Sequence, residues 1–206
     1  MALRSPGKAT NLYYVGRVIP AALPTLADDA IWAHPLLAEL ADPHLRADLT
    51  ELARKLPAII EHLAQLPQLL SHGDASPQNL LVPADGSETF VIIDWTMSGL
   101  TAAGDDLSQL LIGLAHDGAL AVDQLPALRE LVARQYTAGL ASEGFLIDEG
   151  DVRDGMDGGL AVRSALTAIP FERLGDPATH ELTELFRHRL ALTRYLVDLG
   201  LSLPVG

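Results

Sequence analysis

Near its middle the chain changes period, and that change limits the folds open to it more than any other feature. Before the loop that begins at Leu69, apolar residues recur at helical steps. Leu45, Leu49, Leu52 and Leu56 form one stripe in "HLRADLTELARKL", as on one face of a helix. Then two short apolar, partly β-branched runs follow, "NLLV" and "TFVIID", separated by "PADGSE". Asp85-Gly86 is a hairpin turn signal, so the spacing predicts a small hairpin of Leu80–Val82 with Phe90–Ile93. Helical spacing returns over Asp105 to about His116, Gln124 to about Ser142, Glu149 to about Ile169 and Thr179 to about Leu199. The expected fold class is mainly α (α+β), with helices around a lone hairpin.

Local signals refine this outline. Asp42-Pro43 reads as an N-cap with proline at the first helical position. Pro57 is expected to break or kink the helix before "AIIEHLAQL" resumes it. Pro6, Gly7, Gly16, Pro20 and Pro24 punctuate residues 1–30, which read as an irregular segment. Residues 31–206 read as one domain, with no repeat, low-complexity tract or internal linker. A chain of 206 residues that is 49% apolar is long enough for one sizeable core.

Charge narrows the function classes. With 27 acidic against 14 Lys and Arg residues, the formal charge is −13, which argues against nucleic acid or an anionic membrane as partner. A cationic small molecule is compatible with it. Lys8 and Lys55 are the only lysines, which limits mechanisms that need a phosphate-binding lysine. There is no cysteine, so disulfides, thiolate catalysis and Cys-ligated zinc are excluded. The start "MALRSPGKATNLYY" lacks the apolar core of a leader, and no apolar run reaches the length of a membrane span. A cytoplasmic location is the expectation.

Chemistry concentrates in "LLSHGDASPQNLLVP", Leu69 to Pro83. An H-G-D-x-x-x-x-N loop before a strand, with a further Asp after the next strand, suits phosphoryl transfer. That reaction needs a carboxylate to orient or deprotonate the acceptor hydroxyl, and oxygen ligands for the Mg²⁺ that bridges the phosphates. Asp74 and Asn79 leave one loop, so one can face the hydroxyl and the other the metal. Asp94, ending "FVIID", supplies a second ligand from across the hairpin, where strands on either side would hold it rigid. Taken singly, Asp74 and Asn79 are ordinary turn formers and Asp94 an ordinary cap; it is the combination of spacing and context that favours a site.

"LLSHGDASPQNLLV", "VIIDW" and "GDDLSQLL" together resemble the C-terminal lobe of the aminoglycoside phosphotransferase family, small-molecule kinases of protein-kinase-like fold. The resemblance spans roughly Ile31 to Leu199 and is specific at those three motifs. It implies that Asp74 is the catalytic base and that Asn79 and Asp94 ligate Mg²⁺ and so bind the ATP or GTP donor. It also implies that Asp106, of Gly104, Asp106 and Leu107, buttresses the loop, with His72 packing and hydrogen-bonding within it.

The family's N-terminal lobe of strands, with its glycine-containing phosphate loop and strand lysine, finds no counterpart. Only 71 residues precede His72, and most read as C-lobe helices; "SPGK" at Ser5–Lys8 lacks the phosphate-loop spacing. The expectation is a C-lobe that begins near the hinge, with a bared interlobe surface that a dimer or a missing N-lobe would cover. Two functions stay open. One is an ATP- or GTP-dependent kinase acting on a small-molecule hydroxyl, an enzyme by family, present here as its C-lobe. The other is a non-catalytic nucleotide- or metal-binding or interaction module.

Other candidates read more plainly. Asp148, Glu149, Asp151, Asp154 and Asp157 lack the EF-hand spacing; an acidic first helical turn capped by Asp148 is favoured over an acidic wall for a cationic acceptor. No two histidines have the four-residue spacing of a helical zinc site with a nearby Glu. Arg187, Arg189 and Arg194 read as surface arginines that snorkel from an apolar helix, and Trp32 and Trp95 as packing residues.

Overall fold

The computed structural model describes residues 14–86 and 89–205; the "SPGK" segment lies outside them. The described residues are mainly helical, with two two-stranded antiparallel ribbons among them. Four short helical pieces lead in: a π-wound turn Tyr14–Ala22, then α1 (Leu23–Ala27), α2 (Asp29–Trp32) and α3 (Pro35–Leu40). Of the segment 1–30 read as irregular, residues 1–13 lie outside the described residues, and helix is present from Tyr14 on. Val18, Ala22 and Leu26 are buried at four-residue steps. That stripe secures the segment against the core although Pro20 lies within it, and Pro24 falls in a first turn, where proline is tolerated.

Helix α4 (Leu45–Gln65) is the spine of the domain, burying Leu45, Leu49, Leu52, Leu56, Ile59 and Leu63. It runs through Pro57 without a break. Pro57 sits on the exposed face, so water reaches the carbonyl that proline leaves without its partner. Burial of Leu56, Ile59 and Leu63 outweighs the roughly 3 kcal/mol that an interior proline costs. Arg46 ties the lead-in to this spine, donating to the Leu26 and Ala27 carbonyls at 3.2 and 3.0 Å and to Asp29 at 2.7 Å. Trp32 donates its indole N–H to Leu26 at 3.0 Å and meets Phe171 edge-on, a packing role.

The predicted hairpin is present as β2 (Leu80–Leu81) and β3 (Val91–Ile92), in register Leu80↔Ile92 and Leu81↔Val91, shorter than the spacing suggests. It is not alone. Strands β1 (Gln68–Ser71) and β4 (Gly99–Ala102) form a second ribbon, from Gln68↔Ala102 to Ser71↔Gly99. Its partners are some thirty residues apart, so no local turn signal announces the pairing.

Helices α5 (Asp105–His116), α6 (Leu125–Ser142), α7 (Glu149–Leu160) and α8 (His180–Ser202) complete the domain. Helix α7 continues as a π-wound turn, Ala161–Ala165. It approaches the turn after β4 closely: a Cβ on Gly155 would stand 2.0 Å from the Ala103 carbonyl oxygen. Only glycine permits that approach, and it seats the start of α5.

Candidate active site

Strand pairing builds the site. Because β1 pairs with β4 and β2 with β3, the connection from β1 to β2, His72–Asn79, must run beside the connection from β3 to β4. His72 joins the two. It is buried, its Nε2 is 2.7 Å from the Ile93 carbonyl, and its Nδ1 accepts the Asp74 amide at 3.2 Å. The Nε2–H tautomer makes both bonds at once. Trp95 closes over the imidazole edge-on, ring centroids 4.8 Å apart, so the packing role read for Trp95 is directed at this loop.

Asp74 and Asn79 meet. The Asn79 amide nitrogen donates to the Asp74 carbonyl at 2.8 Å and to its carboxylate at 3.3 Å, while the Asn79 carbonyl accepts the Ile93 amide at 3.1 Å. With its nitrogen facing Asp74, the amide presents its oxygen on the other branch. Both side chains are half-buried.

Asp94 is exposed and follows directly on Ile93, the residue bonded to both His72 and Asn79. It is not flanked by strands as expected: β3 ends at Ile92, and Asp94 takes a left-handed backbone, φ 59°. That conformation is uncommon for a residue other than glycine and turns the chain into the 3₁₀ turn Trp95–Met97. Its carboxylate accepts the Thr96 hydroxyl and the Thr96 amide. The hydroxyl bond first, then the amide and the nearby His72, hold its pKa below the ordinary aspartate value. Thr96 was missed in the sequence, although an Asp with Thr two residues on is a familiar turn cap.

Asp106 holds the loop from beneath. Its two carboxylate oxygens accept the His72 amide at 2.7 Å and the Gly73 amide at 2.8 Å. Gly73 has φ 81°, and a Cβ there would stand 2.3 Å from the Met97 carbonyl oxygen. The loop therefore needs glycine on two grounds, backbone conformation and space.

Magnesium prefers oxygen donors and binds through one or two carboxylates plus substrate phosphates. The Asn79 amide oxygen and the Asp94 carboxylate fit that donor set. Among the described residues no group of three or more His, Asp or Glu side chains is arranged to hold a metal by itself.

Four of the five residues of the acidic run, Asp148, Glu149, Asp154 and Asp157, have partners elsewhere. Asp148 caps the helix by accepting the Gly150 amide at 2.7 Å, and Asp154 lies 2.9 Å from His62. Asp157 accepts Arg129 Nε at 2.7 Å, and Arg153 pairs with Glu149 and Glu130. These pairings support the capped acidic turn rather than an acidic wall. On α8, Arg194 pairs with Asp48 at 2.6 Å and Arg187 with Glu184, while His188 lies 2.6 Å from the Ala115 carbonyl.

A family model described as the phosphotransferase enzyme family (APH) matches residues 17–146, which include every residue of this site. No curated protein and no solved structure matches the chain.

Proposed function

Since the chain belongs to the phosphotransferase enzyme family, we propose that it moves the γ-phosphoryl group of ATP or GTP to the hydroxyl of a small molecule. The observation that supports this reading is the joining of the loop carrying Asp74 and Asn79 to the segment just before Asp94, through the His72 ring and the Ile93 backbone.

Asp74 accepts the proton of the acceptor hydroxyl as its oxygen bonds to the γ-phosphorus and the bond to the leaving diphosphate breaks. General-base help of this kind is worth roughly 10²–10⁴ in rate. Asn79 bonds Asp74 and so orients its carboxylate, leaving the amide oxygen for the metal side. Asp94, held ionised by Thr96, is the second oxygen ligand. These two groups would hold Mg²⁺, which would supply positive charge against that of the donor phosphates. Leu81, Val82, Phe90 and Trp95, on the hairpin and the turn after it, are exposed, and apolar side chains there suit the nucleotide base.

The test is calorimetric titration with Mg²⁺–ATP and Mg²⁺–GTP, followed by a phosphoryl-transfer assay against a panel of hydroxyl compounds. Turnover that Asp74→Ala abolishes supports the enzyme. Nucleotide binding without turnover on any acceptor, unchanged in Asp74→Ala, would replace it with the non-catalytic module. Absence of both binding and turnover would overturn the assignment for this chain.

A further inference from the structure

Beneath Asp106 lies a second carboxylate that the chemistry above does not use. Asp105 is buried to 1% exposure and Arg163, on the π-wound turn after α7, to 3%. Arg163 Nη1 stands 3.9 Å from Asp105 Oδ2, an ion pair wholly inside the protein. Asp105 Oδ2 and the neighbouring Ser108 Oγ are buried without a hydrogen-bond partner. A Cβ on Gly159 would stand 2.7 Å from Asp105 Oδ1, so α7 bares its backbone to admit this carboxylate. The groups facing Asp105 are Arg163 from the π-wound turn, Asp106 from its own helix and Tyr136 from α6. Tyr136 also hydrogen-bonds the Gly104 backbone, which adjoins the pair.

A buried ion pair too long for a hydrogen bond is a poor device for stability. Its value must lie in geometry, and the residue next to Asp105 is the one that grips the loop. We propose that Asp105 is a positioning residue: its pairing with Arg163 sets the first turn of α5, so that Asp106 presents both oxygens to the His72 and Gly73 amides. Protonation of Asp105 removes the charge that faces Arg163 and alters that grip. Burial first, and Asp106 in addition, raise the Asp105 pKa to about 6 against the pull of Arg163. The loop therefore changes state inside the range where proteins work.

The proposal rests on the phosphotransferase reading only for the purpose of the loop, and its test needs no turnover. Amide proton shifts of His72 and Gly73 are followed by NMR from pH 5 to 8 on the whole chain without nucleotide. Both resonances are expected to move together with a midpoint near pH 6. Asp105→Asn should abolish that transition while the protein still melts cooperatively. Arg163→Met should displace the midpoint upward, by removing the charge that favours the carboxylate, and Arg163→Lys should restore it in part. Amides that do not shift, a transition that survives Asp105→Asn, or a midpoint indifferent to Arg163→Met would each overturn the proposal. Should Asp105→Asn fail to fold, the two Arg163 variants decide by the same shifts. If an acceptor is found, Asp105→Asn should lower kcat rather than raise KM and flatten the acid limb of its pH profile.

Discussion

Asp74, Asn79 and Asp94 stand out in the sequence as candidates, because their types and spacing match what phosphoryl transfer requires. Their supports stand out less. Thr96 takes on its role only once Asp94 is seen to leave the strand in a left-handed turn, and a local word such as "DWT" carries no sign of φ. Asp74→Ala is expected to lower phosphoryl transfer about 10²–10⁴-fold with little change in thermal stability, as a steady-state assay and a melt on the same sample would show. Gly73→Ala should behave differently. Its φ of 81° and the Met97 carbonyl oxygen 2.3 Å from the added Cβ combine strain with a clash against backbone. A loss of about 2–4 kcal/mol is expected in urea denaturation, together with loss of activity.

At the scale of elements, helices were read from period and strands only where a turn lay between them. The hairpin β2–β3 is announced by Asp85-Gly86, whereas β1–β4 pairs across about thirty residues and contains all of that hairpin in its span. Pro57 shows a local rule giving way to packing, since α4 carries it on the face away from the core. Pro57→Ala restores the bond to the Ala53 carbonyl and relieves the ring clash. It should stabilise the protein by about 1–3 kcal/mol, read as a higher urea midpoint at unchanged m-value. On α7, Gly155→Ala meets the Ala103 carbonyl oxygen at 2.0 Å. It should push the helix off the turn that carries Asp105 and Asp106, and cost both stability and the His72 and Gly73 amide bonds.

For the whole molecule the buried charges set how stability depends on pH. The Asp105 pKa is raised from 3.8 to about 6, by burial above all. The folded state then binds more protons than the unfolded chain between those values. Stability is greatest below about pH 4 as far as this group is concerned, and falls as pH rises through 6. The integrated loss is about 3 kcal/mol. Asp157, also raised by burial although Arg129 opposes it, adds a slope of the same sign. Urea melts between pH 4 and 7.5 should show the decline, and Asp105→Asn should remove most of it; a flat profile would contradict the burial of this charge. The exposed ribbon face is a second property of the whole: Leu70 and Leu100, cross-strand partners, are 74% and 63% exposed. From the chain of residues alone come the helical class, the hairpin, and Asp74, Asn79, Asp94 and Asp106 as candidate residues, because period and motif spacing are local quantities. Tertiary structure decided the rest: the second ribbon, the joining of the two loops through His72 and Ile93, and the burial of Asp105 against Arg163. Each of these depends on residues some twenty to sixty positions apart, whose meeting is fixed by how helices and ribbons pack and not by any signal between them.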